Sequence, residues 1–176
     1  MSLFLIRHGS TKGNEEKRYV GSLDEPLSEK GIRELEQRWE KGDYPAVDVI
    51  FCSPLGRAKE TAAIIYPGQD ITIVEDLREM DFGRYEGRRF DELTDDEAYR
   101  SWLDSGGKSP FPDGEPEEAF MQRVSKVYRR IAEEAKGRRA AVITHGGVIM
   151  ALLSRLYHED GLHYEYRIGN GDLIEL

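Results

Sequence analysis

Apolar residues in this chain fall into two patterns: short unbroken runs, and stretches where they recur every three or four positions. Residues 3–6 (Leu-Phe-Leu-Ile), 48–52 and 140–144 read as strands buried on both faces, as inside a parallel sheet, and residues 71–74 are a further candidate. Between them lie helical patterns. Ser28 offers an N-cap for a helix carrying Ile32, Leu35 and Trp39 up to Gly42. Ser53-Pro54 reads as a cap and first-turn proline for a helix with Ala58, Ala62, Ile65 and Tyr66. Pro116 opens a helix with an apolar stripe of Phe120, Val124, Val127, Tyr128 and Ile131, and Val148, Ile149, Leu152, Leu153 and Leu156 mark another.

Other segments are less regular. The run from Ser10 to Asn14 reads as a loop entering a short helix through Glu15 and Glu16. Residues 75–87, rich in charge and glycine, look like a long functional loop, and residues 91–105 contain helix with Leu93, Tyr99 and Trp102 on one side. Residues 106–116 hold three glycines and three prolines and read as a hinge in an inserted lid at about 88–116, within a single domain spanning 1–176. Residues 164–176 suggest a final hairpin around Gly169-Asn170-Gly171. Strands alternating with helices predict an α/β fold, a three-layer α/β/α sandwich on a mostly parallel sheet.

Composition narrows the partners. A net charge of −9 argues against nucleic acid or an anionic membrane, both of which need a basic surface. No run is long enough to span a membrane, and the first residues lack a signal-peptide pattern. Cys52, the one cysteine, sits in an apolar run as a small core residue and favours a reducing, cytoplasmic location. No feature of the sequence bears on oligomeric state.

Three predicted strands end in chemistry. The first is followed by Arg7-His8-Gly9, the second by Ser53 and then Arg57, and the 140–144 strand by His145-Gly146-Gly147. Open α/β sheets bind ligands at their carboxyl edge, although a surface arginine and a satisfied turn histidine explain Arg7 and His8 equally well in isolation. Charges ~4 Å apart interact by about 4 kcal/mol at an effective dielectric near 20. If the strands are neighbours, two arginines and two histidines repel on that scale, and a phosphoryl dianion among them reverses the sign. A converging cluster therefore predicts a phosphoryl ligand.

These residues resemble the signature of the histidine phosphatase superfamily, which has the phosphoglycerate-mutase-like fold. The likeness rests on Arg7-His8-Gly9 with Thr11 and Asn14; Gly21, Asp24, Leu27, Ser28 and Gly31; residues 53–58 with Thr61-Ala62; Leu77-Arg78-Glu79 with Phe82-Gly83 and Glu86-Gly87; and residues 144–147. It covers nearly the whole chain. It implies His8 as nucleophile through a phosphohistidine, with Arg7, Arg57 and His145 on the phosphoryl oxygens. Asn14 and the Gly146 amide are implied as further donors, Gly21 as a weaker one. Glu79 is implied as the acid that protonates the leaving oxygen and the base for the attacking water. No metal or other cofactor is implied.

The same likeness implies a phosphomonoester hydrolase acting on a small phosphorylated metabolite. The length resembles α-ribazole phosphatases and broad-range sugar-phosphate phosphatases, so α-ribazole 5′-phosphate or a sugar phosphate is the implied substrate. A phosphoglycerate mutase is the alternative, against which stand the short stretch after Gly87 and the early end of the chain. A catalytically inert phospho-ligand binder is another, and a zinc site built from the four histidines a further one. Asp113-Gly114-Glu115-Pro116 departs from the family's commoner Gly-Glu-Ser. Arg78, Arg84, Arg88 and Arg89 read as surface charges or substrate-tail contacts, and His158 and His163 as exposed or structural. Tyr99, Trp102, Phe111, Phe120 and Met121 read either as core or as the substrate mouth.

Overall fold

The computed structural model describes residues 2–106, 111–158 and 161–176. Strand β1 (Ser2–Arg7) lies beside β4 (Arg139–Thr144), which pairs on its other side with β2 (Val49–Cys52), followed by the short β3 (Thr72–Ile73). All these pairings are parallel; β5 (Leu173–Glu175) closes the other edge antiparallel to β1, giving the order β3-β2-β4-β1-β5.

Period-two alternation explains why both faces of this sheet are covered. Leu3, Leu5, Phe51, Ala140 and Val142 point to one core, built with α5 (Glu117–Glu134) and α6 (Gly146–Tyr157). Ile6, Ile50, Cys52, Ala141 and Ile143 point to the other, built with α2 (Glu29–Glu40) and α3 (Gly56–Ile65). The result is the expected mixed α/β architecture with helices on both sides of the sheet. The apolar stripe on α5 is core, with Phe120, Val124, Val127 and Ile131 buried and Tyr128 packed against them. Cys52 is fully buried, and burial pushes its thiol up to about 12.

The remaining elements are short. Thr11 caps α1 (Lys12–Glu15) through the Asn14 amide, while the Asn14 side chain accepts from the Thr11 amide in return. The segment read as a long loop contains two 3₁₀ turns, Glu75–Leu77 and Gly83–Tyr85. A third, Phe90–Leu93, precedes α4 (Glu97–Asp104), capped by Asp96. Of the expected hinge, residues 107–110 lie outside the described residues. Among the described residues no helix is long and apolar enough to cross a membrane.

Three local expectations are corrected. Ser53 does not cap α3: the helix starts at Gly56, whose amide donates to the Asp24 carboxylate at 2.8 Å, while the Ser53 hydroxyl is engaged elsewhere. Residues 164–176 form no hairpin. Residues 173–175 pair with β1, whose edge is free to accept them, and Gly171 N–H donates to the carbonyls of Arg7 and His8. Tyr164–Tyr166 is accordingly a 3₁₀ turn. Trp39, placed by its spacing on the apolar side of α2, is 47% exposed.

The two faces make a stability prediction. Ile6→Ala removes a fully buried side chain from a close-packed cluster and is expected to lower unfolding free energy by about 2–5 kcal/mol in urea titration. Trp39→Ala, on the exposed side of α2, is expected to stay within about 0.5 kcal/mol of wild type.

Candidate active site

Parallel register sets the geometry of the site. Arg7 pairs with Thr144 and Cys52 with Ile143, so His8, His145 and Ser53 emerge side by side from the carboxyl edge. The His8 and His145 ring centroids stand 5.1 Å apart. Arg57, in the first turn of α3, reaches back beneath them with its Nε 3.3 Å from His8 Nε2.

The two histidine rings differ in their partners. His8 Nδ1–H donates to the Gly9 carbonyl at 2.7 Å, so Nε2 carries the lone pair and accepts from Arg57. Ser53 Oγ accepts from Leu55 N–H at 3.3 Å and lies 2.7 Å from His145 Nε2. Assigning the shared proton to the hydroxyl puts the proton of a neutral His145 on Nδ1. Burial, reinforced by Arg57 and Arg7, holds the pKa of His8 well below its ordinary 6.5. Burial does the same for His145, helped by its charged neighbours.

The arginines are held by backbone carbonyls. Arg57 is fully buried and donates to Leu23 O at 2.8 Å and Gly21 O at 2.7 Å. Thr61 accepts from Gly9 N–H and donates to Arg57 O, tying α3 to the end of β1. Arg7 donates through Nη1 to Ile168 O at 2.6 Å. Burial lowers the pKa of both guanidiniums, with Glu79 the largest opposing charge in each case. Among the described residues, the buried polar side-chain atoms lacking a hydrogen-bond partner are Arg7 Nε and His145 Nδ1. A buried donor left unpaired costs about 1–3 kcal/mol, so this corner favours an anion that takes both.

Glu79 lies across from this cluster. Its carboxylate accepts from Met80 N–H at 3.0 Å and Gly147 N–H at 2.9 Å, and a Cβ on residue 147 would collide with it. Burial nevertheless raises its pKa above the ordinary 4.5, outweighing those bonds and the two arginines. The segment carrying Glu79 is anchored by Thr144 Oγ1 donating to Leu77 O, and by Arg123 of α5. Arg123 donates to the carbonyls of Asp76 and Arg78 and forms a forked pair with Glu115 at 2.6 and 2.9 Å. Glu115 of the variant Gly-Glu-Pro element thus braces the acid segment.

Arg7, His8, Arg57, Glu79 and His145 therefore converge. Asn14 and Gly146 stand on the wall of one cavity with Arg7, Glu79 and Gly147, while His8, Arg57 and His145 are buried and do not line it. Gly21 has a different task from the one implied. Its amide donates to Glu86, which also takes the amides of Ser22, Leu23 and Phe82, and its carbonyl holds Arg57. Sequence reasoning missed Ser53, Arg123 and Asn170, whose side-chain amide donates to His8 O and Asn14 Oδ1. The Gly-Asn-Gly run was legible as a turn, but not that the turn docks on the histidine.

The four histidines form two separate pairs, which bears on the zinc alternative. His158 and His163 stack at 3.6 Å between ring centroids, 11° from parallel, with Glu165 beside them. Donor atoms of that trio lie within 4.8 Å of one another. Parallel stacked rings cannot both aim an in-plane lone pair at one ion, so this arrangement holds a metal only after a ring turns. Arg89 pairs with Asp91, Arg78 with Asp76 and Arg84 with Asp113, all on the surface.

The chain matches the family model of the histidine phosphatase superfamily (branch 1) over residues 3–176. It is 33% identical over 160 residues to the adenosylcobalamin/alpha-ribazole phosphatase of Salmonella typhimurium, covering 89% of this chain and 79% of that protein. A Salmonella arizonae protein named "Probable phosphoglycerate mutase GpmB" is 36% identical over 160 residues, covering 89% and 74%. The crystal structure of the alpha-ribazole phosphatase from Shigella flexneri superposes with a TM-score of 0.86 at 30% identity, over 99% of this chain and 89% of that one.

The Arg123–Glu115 brace is testable by a double-mutant cycle. Arg123→Met strands a largely buried carboxylate and is expected to cost about 3–5 kcal/mol of unfolding free energy. Adding Glu115→Leu is expected to recover most of that loss in denaturant titration.

Proposed function

The chain belongs to the histidine phosphatase superfamily and is a phosphatase; from that premise we propose that it hydrolyses phosphomonoesters of small metabolites through a phosphohistidine on His8, without a metal ion. The observation that carries this reading is the lone pair of His8 Nε2, held against Arg57 Nε beside the unpartnered Arg7 Nε and His145 Nδ1.

The steps follow from the protonation states. A phosphoryl group entering the corner takes the donors of Arg57, Arg7 and His145, which releases the His8 lone pair from Arg57. Nε2 attacks phosphorus, the P–O bond to the leaving group breaks, and the leaving oxygen takes the proton of the Glu79 carboxyl. The Glu79 carboxylate then removes a proton from water, whose oxygen attacks phosphorus. The N–P bond breaks, its electron pair returns to Nε2, and inorganic phosphate departs. The guanidiniums neutralise the equatorial oxygens throughout, supplying the charge that a metal supplies elsewhere, and the neutral His145 imidazole adds an N–H donor. Asn14 on the cavity wall and the Gly146 amide at the start of α6 add donors.

α-Ribazole 5′-phosphate or a sugar phosphate is the proposed substrate class, supported by relatives named for alpha-ribazole phosphate. The relative named as a phosphoglycerate mutase favours phosphoryl transfer between hydroxyls as a second reading. The buried, unreactive Cys52 suits a reducing cytoplasm as the working compartment.

Two measurements test the mechanism. His8→Ala is expected to lower kcat on a chromogenic phosphomonoester at least ~10³-fold while wild type keeps its rate in excess chelator. Acid-labile ³²P retained on wild type and absent from His8→Ala identifies the intermediate; equal labelling removes His8 as nucleophile. A panel with α-ribazole phosphate and 3-phosphoglycerate separates hydrolysis from mutase turnover.

The pH profile follows from the two displaced groups. The rate constant kcat/KM is expected to fall on the acid side as His8 gains a proton, at a pH well below 6.5. It is expected to fall on the alkaline side as Glu79 loses its proton, above the ordinary 4.5. Glu79→Gln should abolish the alkaline limb and slow esters of poor leaving groups far more than nitrophenyl phosphate. A persisting alkaline limb would assign the acid to another residue.

A further inference from the structure

The second histidine pair lies outside the phosphoryl corner and takes no part in the mechanism above. His158 ends α6, His163 precedes the 3₁₀ turn Tyr164–Tyr166, and Glu165 stands on that turn. None of the three lines the catalytic cavity. Imidazole and carboxylate are donors that zinc and its neighbours in the first transition row take from proteins. We propose that His158, His163 and Glu165 form a binding site for a divalent transition-metal ion of the zinc class, structural in role and separate from catalysis. This site stands independently of the hydrolase reading.

The backbone of the site is already built. Ser154, fully buried on α6, engages both histidines. Its carbonyl accepts from His158 N–H at 2.8 Å, and its hydroxyl accepts from His163 N–H at 2.8 Å. The hydroxyl donates its own proton to Met150 O, which leaves it an acceptor toward His163. Tyr166 N–H donates to His163 O and closes the turn that carries Glu165, while Leu162 N–H donates to Glu117 of α5. The chain positions of the ligands are therefore set before any ion arrives.

Two of the side chains already stand at ligand spacing. His158 Nε2 lies 3.4 Å from Glu165 Oε1, and the donor atoms of all three residues fall within 4.8 Å of one another. Bonds of about 2.0–2.1 Å at a tetrahedral angle place ligand atoms about 3.4 Å apart, the span of the His158–Glu165 edge. His163 is the ligand that moves. Its ring stacks on His158 with centroids 3.6 Å apart, and turning it out of that stack is the rearrangement the site requires. The ion also takes the His158 Nε2 that otherwise faces the Tyr166 hydroxyl at 2.8 Å. One ring stack and one hydrogen bond are exchanged for metal–ligand bonds, and the backbone stays where Ser154 holds it. As ligands, two neutral imidazoles and a carboxylate present one negative charge to a divalent cation, on a chain of net charge −9. An ion there ties the end of α6 to the chain that runs on to Ile168, whose carbonyl holds Arg7.

The test is calorimetric titration of zinc chloride into the full chain, first stripped with chelator and returned to chelator-free buffer. Wild type is expected to bind one zinc per chain, and saturating zinc to raise its Tm. His158→Ala and His163→Ala should each weaken binding at least about tenfold. Glu165→Gln, at an exposed position that does not threaten folding, should weaken it about threefold or more. Tyr166→Phe, which removes the competing hydrogen bond, should bind zinc at least as tightly as wild type. His8→Ala should keep the full stoichiometry, which places the ion away from the catalytic pair. No binding at about 1 mM zinc, affinity unchanged in the three ligand variants, or binding lost with His8→Ala would overturn the proposal. Should a histidine variant fail to fold, Glu165→Gln decides alone, and unchanged affinity there rejects the site.

Discussion

Two arginines at the carboxyl edge of a parallel sheet, Arg57 fully buried and Arg7 partly so, are the constraint on which the rest of this site depends. Each buried cation carries a desolvation cost of several kcal/mol, and the protein offsets it with oriented carbonyls in place of a matching carboxylate. Arg57 is held by Gly21 and Leu23, and Arg7 by Ile168. Those carbonyls come from loops that are fixed against the sheet by bonds of their own. Glu86 gathers four amides of the 21–23 and 82 segments to hold one of them, and the Gly169–Gly171 turn is stapled to β1 by Asn170 to hold the other. Both arginines are therefore held in place by the loops before any ligand arrives.

Much of this was legible in the sequence because it follows from periodicity. Unbroken apolar runs meant two-faced strands, and parallel strands deliver their carboxyl ends to one edge. His8, His145 and the start of α3 had to be neighbours once β1, β4 and β2 were adjacent. What was illegible depends on a choice between partners that spacing does not encode. Ser53 has the right chemistry for a helix cap, yet its hydroxyl serves His145, and the capping acid is Asp24 from a distant loop. Asn170-Gly171 has the composition of a tight hairpin, but the open edge of β1 competes successfully for the following strand. Arg123 lies on a helix whose stripe announces core packing, and nothing local shows that its guanidinium reaches the acid segment.

The aromatic residues show the same limit from the other side. Tyr99, Trp102 and Phe111 recur at spacings that fit burial or a substrate wall equally well; the structure buries Tyr99 and Phe111 and sets all three along the cavity. Tyr99 and Phe111 are core, and they back a surface formed by Trp102 with Phe90, which periodicity had not singled out. A ring supported from behind by other rings is rigid, so a ligand that stacks on it loses less to ordering the wall.

Burial also accounts for the division of labour between His8 and Glu79. Desolvation penalises whichever form of a group is charged, so the same dry pocket drives the imidazole pKa down and the carboxyl pKa up. The two shifts favour a neutral histidine, whose Nε2 lone pair accepts from Arg57, and the protonated form of the Glu79 carboxyl. Those are the forms that attack on phosphorus and departure of the leaving group require. The arginines sharpen the first shift and oppose the second, yet burial remains the larger influence on Glu79. In the proposed reaction, an entering phosphoryl dianion offsets the arginine field, which shifts Glu79 further toward its protonated form and eases the pressure on His8. Burial, the largest influence on both groups, continues to favour the neutral histidine.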